Sequence, residues 1–246
     1  MRVKKFRKFD DTKYAAPHFA TSTKRAVRVM GPHQAPAGQR NGIYHIIDLV
    51  RTTTGVANPR VLELGAGSGR LADLLIRKEG IKPENYCITD IKYNTGGRTG
   101  GKWTLKRSIF NEVKAQRMQA VKVNVHTAPP AELKGKFQLI MMPEVSGGPE
   151  TLLSLVTNYF DKLAPGGYLI ADRALCSHHM IKAISSKKKY EKEHAYFKEV
   201  PIARRLMRVL EFLRREGKIS YNNYDEIFWK NANSGRDLFV LQKVKN

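Results

Sequence analysis

The chain has 246 residues, 41% of them hydrophobic, which is enough to fold one large domain around a proper core. Its 44 lysines and arginines against 22 acids leave a formal charge of +22 and a pI near 10.1, beyond what surface solvation requires. That balance points to a polyanionic partner, RNA or DNA first, and disfavours a protein whose only partner is a small molecule.

No apolar run approaches the roughly 20 residues of a membrane span, and the charged first residues do not read as a secretory signal. A cytoplasmic, reducing setting is therefore expected. In it Cys87 and Cys176 read as buried small hydrophobes rather than a disulfide. The adjacent His178 and His179 would diverge rather than clamp an ion, so no metal is expected.

In chain order, Met1 to about Arg28 is a basic arm that includes Lys4, Lys5, Arg7 and Lys8, opposed only by Asp10 and Asp11. Phe6, Phe9, Tyr14 and Phe19 are interleaved with the cations, a pattern suited to phosphate contact and base stacking as well as to a solvated tail. The breaker-rich run from Gly31 to Gly38 closes this arm and loop, residues 1–38. Residues 39–246 then read as one domain, beginning with a helix from Asn41 to Val50.

The segment Val61-Leu-Glu-Leu-Gly-Ala-Gly-Ser-Gly-Arg70 is an apolar run that breaks into glycines at 65, 67 and 69 and resumes as the helical Leu71 to Ile76. It reads as strand, tight turn and helix, with glycine letting a ligand lie against main-chain N–H groups. Glu63 sits inside the strand, and a second strand, Tyr86 to Asp90, ends on a carboxylate about twenty residues on, where a ribose needs an acceptor. The run from Ile91 to Gly101 is a glycine-rich loop carrying Lys92 and Arg98.

A basic helix from about Leu105 to Met118 leads to a strand from Ala120 to Val125, and the strand Phe137 to Met142 follows. Glu150 to Leu163 has helical apolar spacing, and Ala164-Pro-Gly-Gly167 turns into the strand Tyr168 to Ala171. Residues 178–217 form a basic helical insertion that includes Lys187, Lys188, Lys189, Arg204, Arg205 and Arg208. Its second half runs from Pro201 to Gly217 with a core stripe and a cationic face. Half a dozen of these cations on phosphates would make affinity fall roughly 10³-fold between low and moderate salt. The chain closes as a β-hairpin, Tyr224 to Lys230 and Asp237 to Val244.

The combination of Glu63-Leu-Gly-Ala-Gly-Ser-Gly69 with Asp90, joined by Leu163-Ala-Pro-Gly-Gly-Tyr-Leu-Ile170 and the final hairpin, resembles class I S-adenosylmethionine-dependent methyltransferases. The resemblance implies an α/β fold, a Rossmann-like seven-stranded mostly parallel sheet with a C-terminal antiparallel hairpin. It implies S-adenosylmethionine as cofactor, with Glu63, Gly65, Ala66, Gly67, Gly69, Asp90, Ile91, Asn124 and Met142 as its binding residues.

Element order also resembles the viral RNA cap methyltransferases of flavivirus and nonsegmented negative-strand virus polymerase proteins, chiefly in Leu139 to Val145, Leu163 to Ile170 and Ser234 to Val240. That likeness implies an RNA partner with a capped 5′ end and association with polymerase or other RNA-processing proteins. The 2′-O enzymes of that group carry a Lys-Asp-Lys-Glu tetrad, whose positions the likeness puts near Arg40 or Asn41, near Met142 to Glu144, near Ala171 to Arg173, and at Asp237, with Arg40, Glu144, Arg173 and Asp237 as the substituted set. No lysine occupies either lysine position. Because arginine stays protonated near neutrality, this set favours guanine N7 methylation, another acceptor, or an RNA-binding module without 2′-O chemistry. Ribosomal or transfer RNA is the alternative substrate.

Overall fold

The computed structural model describes residues 43–91, 93, 105–142, 149–172, 200–222, 227–230 and 237–245. The basic arm, the glycine-rich loop after Tyr93, the segment 143–148 and residues 173–199 lie outside the described residues, and with them Cys176, His178 and His179.

Helix α1, Ile43–Thr54, runs past its predicted end at Val50, and Thr52, Thr53 and Thr54 in its last turn donate their hydroxyls to carbonyls four residues back. Strand β1, Val61–Leu64, leads through the glycine turn to α2, Arg70–Glu79, and then to β2, Tyr86–Asp90. Helix α3 spans Arg107–Lys114, shorter than the Leu105 to Met118 expected, because the chain turns at Gln116 with φ +57°. Strand β3 is Gln119–Lys122. The expected continuation to Val125 is replaced by a turn in which Asn124 Oδ1 accepts the His126 N–H at 3.1 Å, a local bond that competes with strand pairing.

Strand β4, Phe137–Met142, helix α4, Pro149–Tyr159, and strand β5, Leu163–Asp172, follow. Helix α5, Val200–Arg215, precedes the hairpin of β6, Phe228–Lys230, and β7, Asp237–Gln242. The seven strands form one sheet in the order β3-β2-β1-β4-β5-β7-β6. Strands β1 to β5 run parallel; β7 is antiparallel to both β5 and β6.

Helices cover both faces, so the central strands are apolar on both sides rather than alternating. Helices α1 and α2 and residues Leu105 and Ile109 pack on Val61, Ile88, Leu139, Met141 and Ile170. Helices α4 and α5 cover the other face through Leu152, Leu155, Leu206 and Leu210, against Leu62, Ile140, Leu169 and Phe239. The second half of the predicted basic insertion is thus a core helix of this face. Cys87 is a free, buried thiol whose desolvation pushes its pKa up to about 12, as expected for an inert packing residue.

The Pro165-Gly-Gly sequence has a packing cause. Strand β5 meets β4 at Phe137 and again from Leu139 on, with the register shifted between. At that shift a Cβ on Gly167 would lie 2.9 Å from the carbonyl oxygens of Ala164 and Gln138 and 3.2 Å from that of Phe137. Replacement Gly167→Ala is expected to cost about 1–3 kcal/mol, read as a lowered urea midpoint with an unchanged slope.

Candidate active site

Parallel order reverses between β1 and β4, and such a switch point opens a crevice at the carboxyl ends of the strands. The turn after β1 fills that position. Gly65, Gly67 and Gly69 have φ of +72°, +54° and +73°, in the left-handed region that costs other residues roughly 1–2 kcal/mol each. The turn is tied to the end of β2: the Ala66 N–H donates to Thr89 O at 2.8 Å, and the Gly67 N–H donates to Asp90 Oδ2 at 3.1 Å. The Tyr93 hydroxyl donates to Gly67 O at 2.8 Å, and the Lys106 N–H to Ser68 O at 2.9 Å. Gly69 then caps α2, whose free N-terminal amides face the turn.

Two features of this turn call for a ligand. The Ser68 hydroxyl is buried without a hydrogen-bond partner, and Ile91, directly after Asp90, is 55% exposed despite being aliphatic.

Below the turn, Glu63 is 1% exposed and accepts a hydrogen bond from the Tyr86 hydroxyl at 2.8 Å. Burial pushes its carboxyl up to about 8; the Tyr86 bond opposes this and the nearby Asp90 charge adds to it. Burial likewise pushes the Tyr93 hydroxyl well above its ordinary range. To one side, Asp73 of α2 gathers Arg77, Lys106 and Ser108, the last at 2.7 Å. Burial alone would raise the Asp73 carboxyl, but these bonds outweigh it and hold the group below its usual range. The cluster staples the start of α3 to α2 beside the turn, and the Ile109 side chain fills the space a Cβ on Gly69 would need, at 3.0 Å.

The sequence anticipated the turn, Asp90 and Ile91, and the structure brings them together. Ala66 is packed in the core with only its backbone facing the turn's contacts. Met142 does not present its side chain at the switch point: it is fully buried among the α4 and α5 core residues, because alternation along β4 turns it to that face. Asn124 lies two residues past β3, exposed, with its side-chain oxygen engaged in the turn described above.

Asp237 opens β7 in register with Lys230. Arg40, Glu144 and Arg173 lie outside the described residues, as do Lys4, Lys5, Arg7, Lys8, Lys187, Lys188 and Lys189. The ends of β4, β5 and β7 are adjacent, with Met142 opposite Ala171 and Asp172 opposite Leu238. Arg205 and Arg208 are exposed on α5, and Arg204 is half-buried. Tyr86, Tyr93, Ser68 and Asp73 escaped the sequence reading. Asp73 left only the weak signal of an acid in a helix's first turn.

The profile of the methyltransferase domain family matches residues 36–236. The chain belongs to this family. Among curated proteins this methyltransferase domain is similar to the polyketide synthase-nonribosomal peptide synthetase phmA of Phaeosphaeria nodorum, 30% identical over 112 residues, 45% of this chain and 3% of that protein. It is also similar to the hybrid PKS-NRPS synthetase thnA of Trichoderma harzianum, 27% identical over 113 residues with the same shares. The chain therefore spans only a small part of the curated relatives it matches.

Similar solved structures include the plantazolicin methyltransferase BpumL in complex with a monoazolic desmethylPZN analog and SAH (TM-score 0.46, 8% identity, 83% of each chain). Another is PigF with SAH (TM-score 0.40, 16% identity, 80% of this chain and 54% of that one).

The methyltransferase's cofactor is S-adenosylmethionine, and the residues at the switch point fit it. Asp90 would accept from the ribose hydroxyls, Ile91 would give the adenine an apolar contact, and the turn amides with the unpartnered Ser68 hydroxyl would line the remainder. When bound, the cofactor supplies a methyl group on a sulfonium. The chain's own residues would hold that ligand through a turn already tied to β2, with the start of α3 held beside the turn through Asp73. Among the described residues no helix is long and apolar enough to cross a membrane.

Replacing Asp90 by Ala removes both the ribose acceptor and the partner of the Gly67 amide. Calorimetry should show cofactor affinity reduced roughly ten- to hundredfold.

Glu63 titrates near 8 when folded and in the ordinary carboxylate range when unfolded, so the folded protein binds the extra proton between those values. Its contribution to stability is full at low pH and is lost as pH rises through about 8. Glu63→Gln should therefore flatten the fall in melting temperature between mildly acidic and mildly alkaline buffers, and it should perturb cofactor affinity less than Asp90→Ala does.

Proposed function

We propose that this methyltransferase acts on RNA, with the capped 5′ end as the segment bearing the acceptor. The excess of 22 positive charges carries the reading, because a small-molecule acceptor gives such a field nothing to attract, whereas a phosphate backbone does. The cytoplasm, a host cytoplasm if the chain is viral, is the compartment where this substrate is met.

The positions available for proton transfer narrow the acceptor. A ribose hydroxyl is a poor nucleophile while protonated and needs a base or a tuned lysine beside it. On the likeness to the 2′-O enzymes, Arg40 and Arg173 are the basic residues near the lysine positions of the tetrad, with Glu144 near its aspartate and Asp237 at its glutamate. Arginine keeps its proton, so this set supports positioning rather than proton removal. Guanine N7 already presents a lone pair, and alignment with the sulfonium supplies most of what its methylation requires.

The curated relatives favour a second reading, an acceptor of the kind that polyketide synthases handle. It leaves the charge without a use. Ribosomal or transfer RNA satisfies the charge as well as a cap does, and a domain that binds RNA without methylating it is the remaining form of the reading.

Transfer of labelled methyl from S-adenosylmethionine to capped and uncapped RNA, followed by nucleoside identification, tests all of these. The expected product is N7-methylguanosine on capped RNA alone. Label confined to internal nucleosides of structured RNA would move the substrate to ribosomal or transfer RNA. Label on a small-molecule or carrier-bound thioester acceptor, with none on RNA, would defeat the proposal.

A further inference from the structure

Helix α5 buries one stripe and exposes the opposite one. Ala203, Leu206 and Leu210 are 0% exposed and Leu213 is 8% exposed, and the three leucines pack in the core with α4. At 100° per residue, Arg205, Arg208, Phe212 and Arg215 fall together on the opposite face. All four are exposed, Phe212 by 56%, one of the few large hydrophobic side chains left in water among the described residues.

The acids between residues 200 and 222 are Glu211 and Glu216. Glu211 is taken up by Arg214 at 2.8 Å and by the Tyr221 hydroxyl at 2.9 Å. Glu216 lies at the end of the helix. No acid pairs with Arg205, Arg208 or Arg215 among the described residues.

We infer that this outward face of α5 is a docking track for single-stranded RNA. It rests on the RNA reading above and adds a place and a path to it. Three unpaired guanidinium groups along about 15 Å of helix match a run of phosphates, and an exposed aromatic ring among them gives a base a face to stack on without regard to sequence. Lys218, 5.8 Å from the Phe212 ring centroid, adds charge to the same platform.

A lipid surface is the weaker match, since a membrane-binding helix commits its apolar face to the bilayer. Here that face is occupied by the protein core.

The direction of the track follows from the anchoring of the helix's carboxyl end. Lys218 O accepts the Val244 N–H at 2.9 Å, Ile219 bridges to Lys243, and Lys243 O accepts the Gly166 N–H at 3.0 Å. These bonds fix the Arg215 end beside the start of β5, the sheet edge away from the glycine turn. From there the buried stripe of Leu213, Leu210 and Leu206 runs back along the helix, and the proposed track takes this as the direction toward the carboxyl edge. A strand seated on Arg215, Phe212, Arg208 and Arg205 in turn is led toward the reacting edge.

The test uses the full chain and a fluorescein-labelled twelve-nucleotide oligouridine, with anisotropy measured across a salt series. The triple variant R205Q/R208Q/R215Q should weaken binding at least tenfold and reduce the salt slope by about 2, since each phosphate deprived of its cation lowers the slope by roughly 0.7. Phe212→Ala should weaken binding about tenfold with little change in slope. Circular dichroism and cofactor calorimetry should match wild type for both variants, which separates impaired docking from impaired folding.

If wild type methylates RNA while both variants keep its affinity and slope, the track is wrong and the RNA acceptor stands. If wild type binds no RNA, both readings fall. Tighter binding to a duplex of equal length, or binding to phosphatidylserine vesicles in place of RNA, would also overturn the track.

Discussion

The interaction on which the site depends is the tie between the glycine turn and the end of β2. A loop of three left-handed glycines has little conformational preference of its own, and its backbone amides are of use to a ligand only if held in place. Two hydrogen bonds to adjacent residues of β2 do this, one to the Thr89 carbonyl and one to the Asp90 carboxylate. Asp90 thereby braces the turn, and its carboxylate would also offer an acceptor to a ribose. The parallel register of Val61 to Leu64 on Tyr86 to Thr89 puts the turn and the carboxylate side by side.

Around that tie the protein accepts unfavourable burial. Glu63 lies beneath the turn in a desolvated position, kept neutral and hydrogen-bonded by Tyr86 rather than solvated. Asp73 is buried too, but three donors keep it charged, and through it α3 is held against the turn. Two buried acids thus shift in opposite directions, decided by the number and charge of their partners. The neutral acid adds little to the field at the cofactor turn, and the charged one is spent on packing two helices.

Charge is distributed with a comparable division of labour. On α5 one side of the helix builds the core of the second sheet face while the other keeps unpaired arginines and a phenylalanine in water. Since the net charge of the chain is large, that surface is costly to keep unless something anionic covers it.

Much of the fold could be read from the residues. The apolar runs, the glycine spacing, Asp90 about twenty residues on, and the final hairpin placed most strands and the cofactor turn, because these depend on periodicity and on backbone conformations that few residues adopt. Local competition decided the points that differed: Asn124 ended β3 early by bonding to the next turn, and alternation along β4 sent Met142 into the core instead of toward the cofactor. The pairing of Glu63 with Tyr86, the gathering of Lys106 and Ser108 on Asp73, and the unpartnered Ser68 hydroxyl join residues 20 to 35 positions apart or turn on local burial. Sequence by itself determined which segments become strands and helices and where glycine was required. Only tertiary structure decided which acid has its pKa raised and which lowered, which hydroxyls are buried without a partner and which side of α5 faces water, because desolvation and hydrogen bonding depend on what each group is packed against.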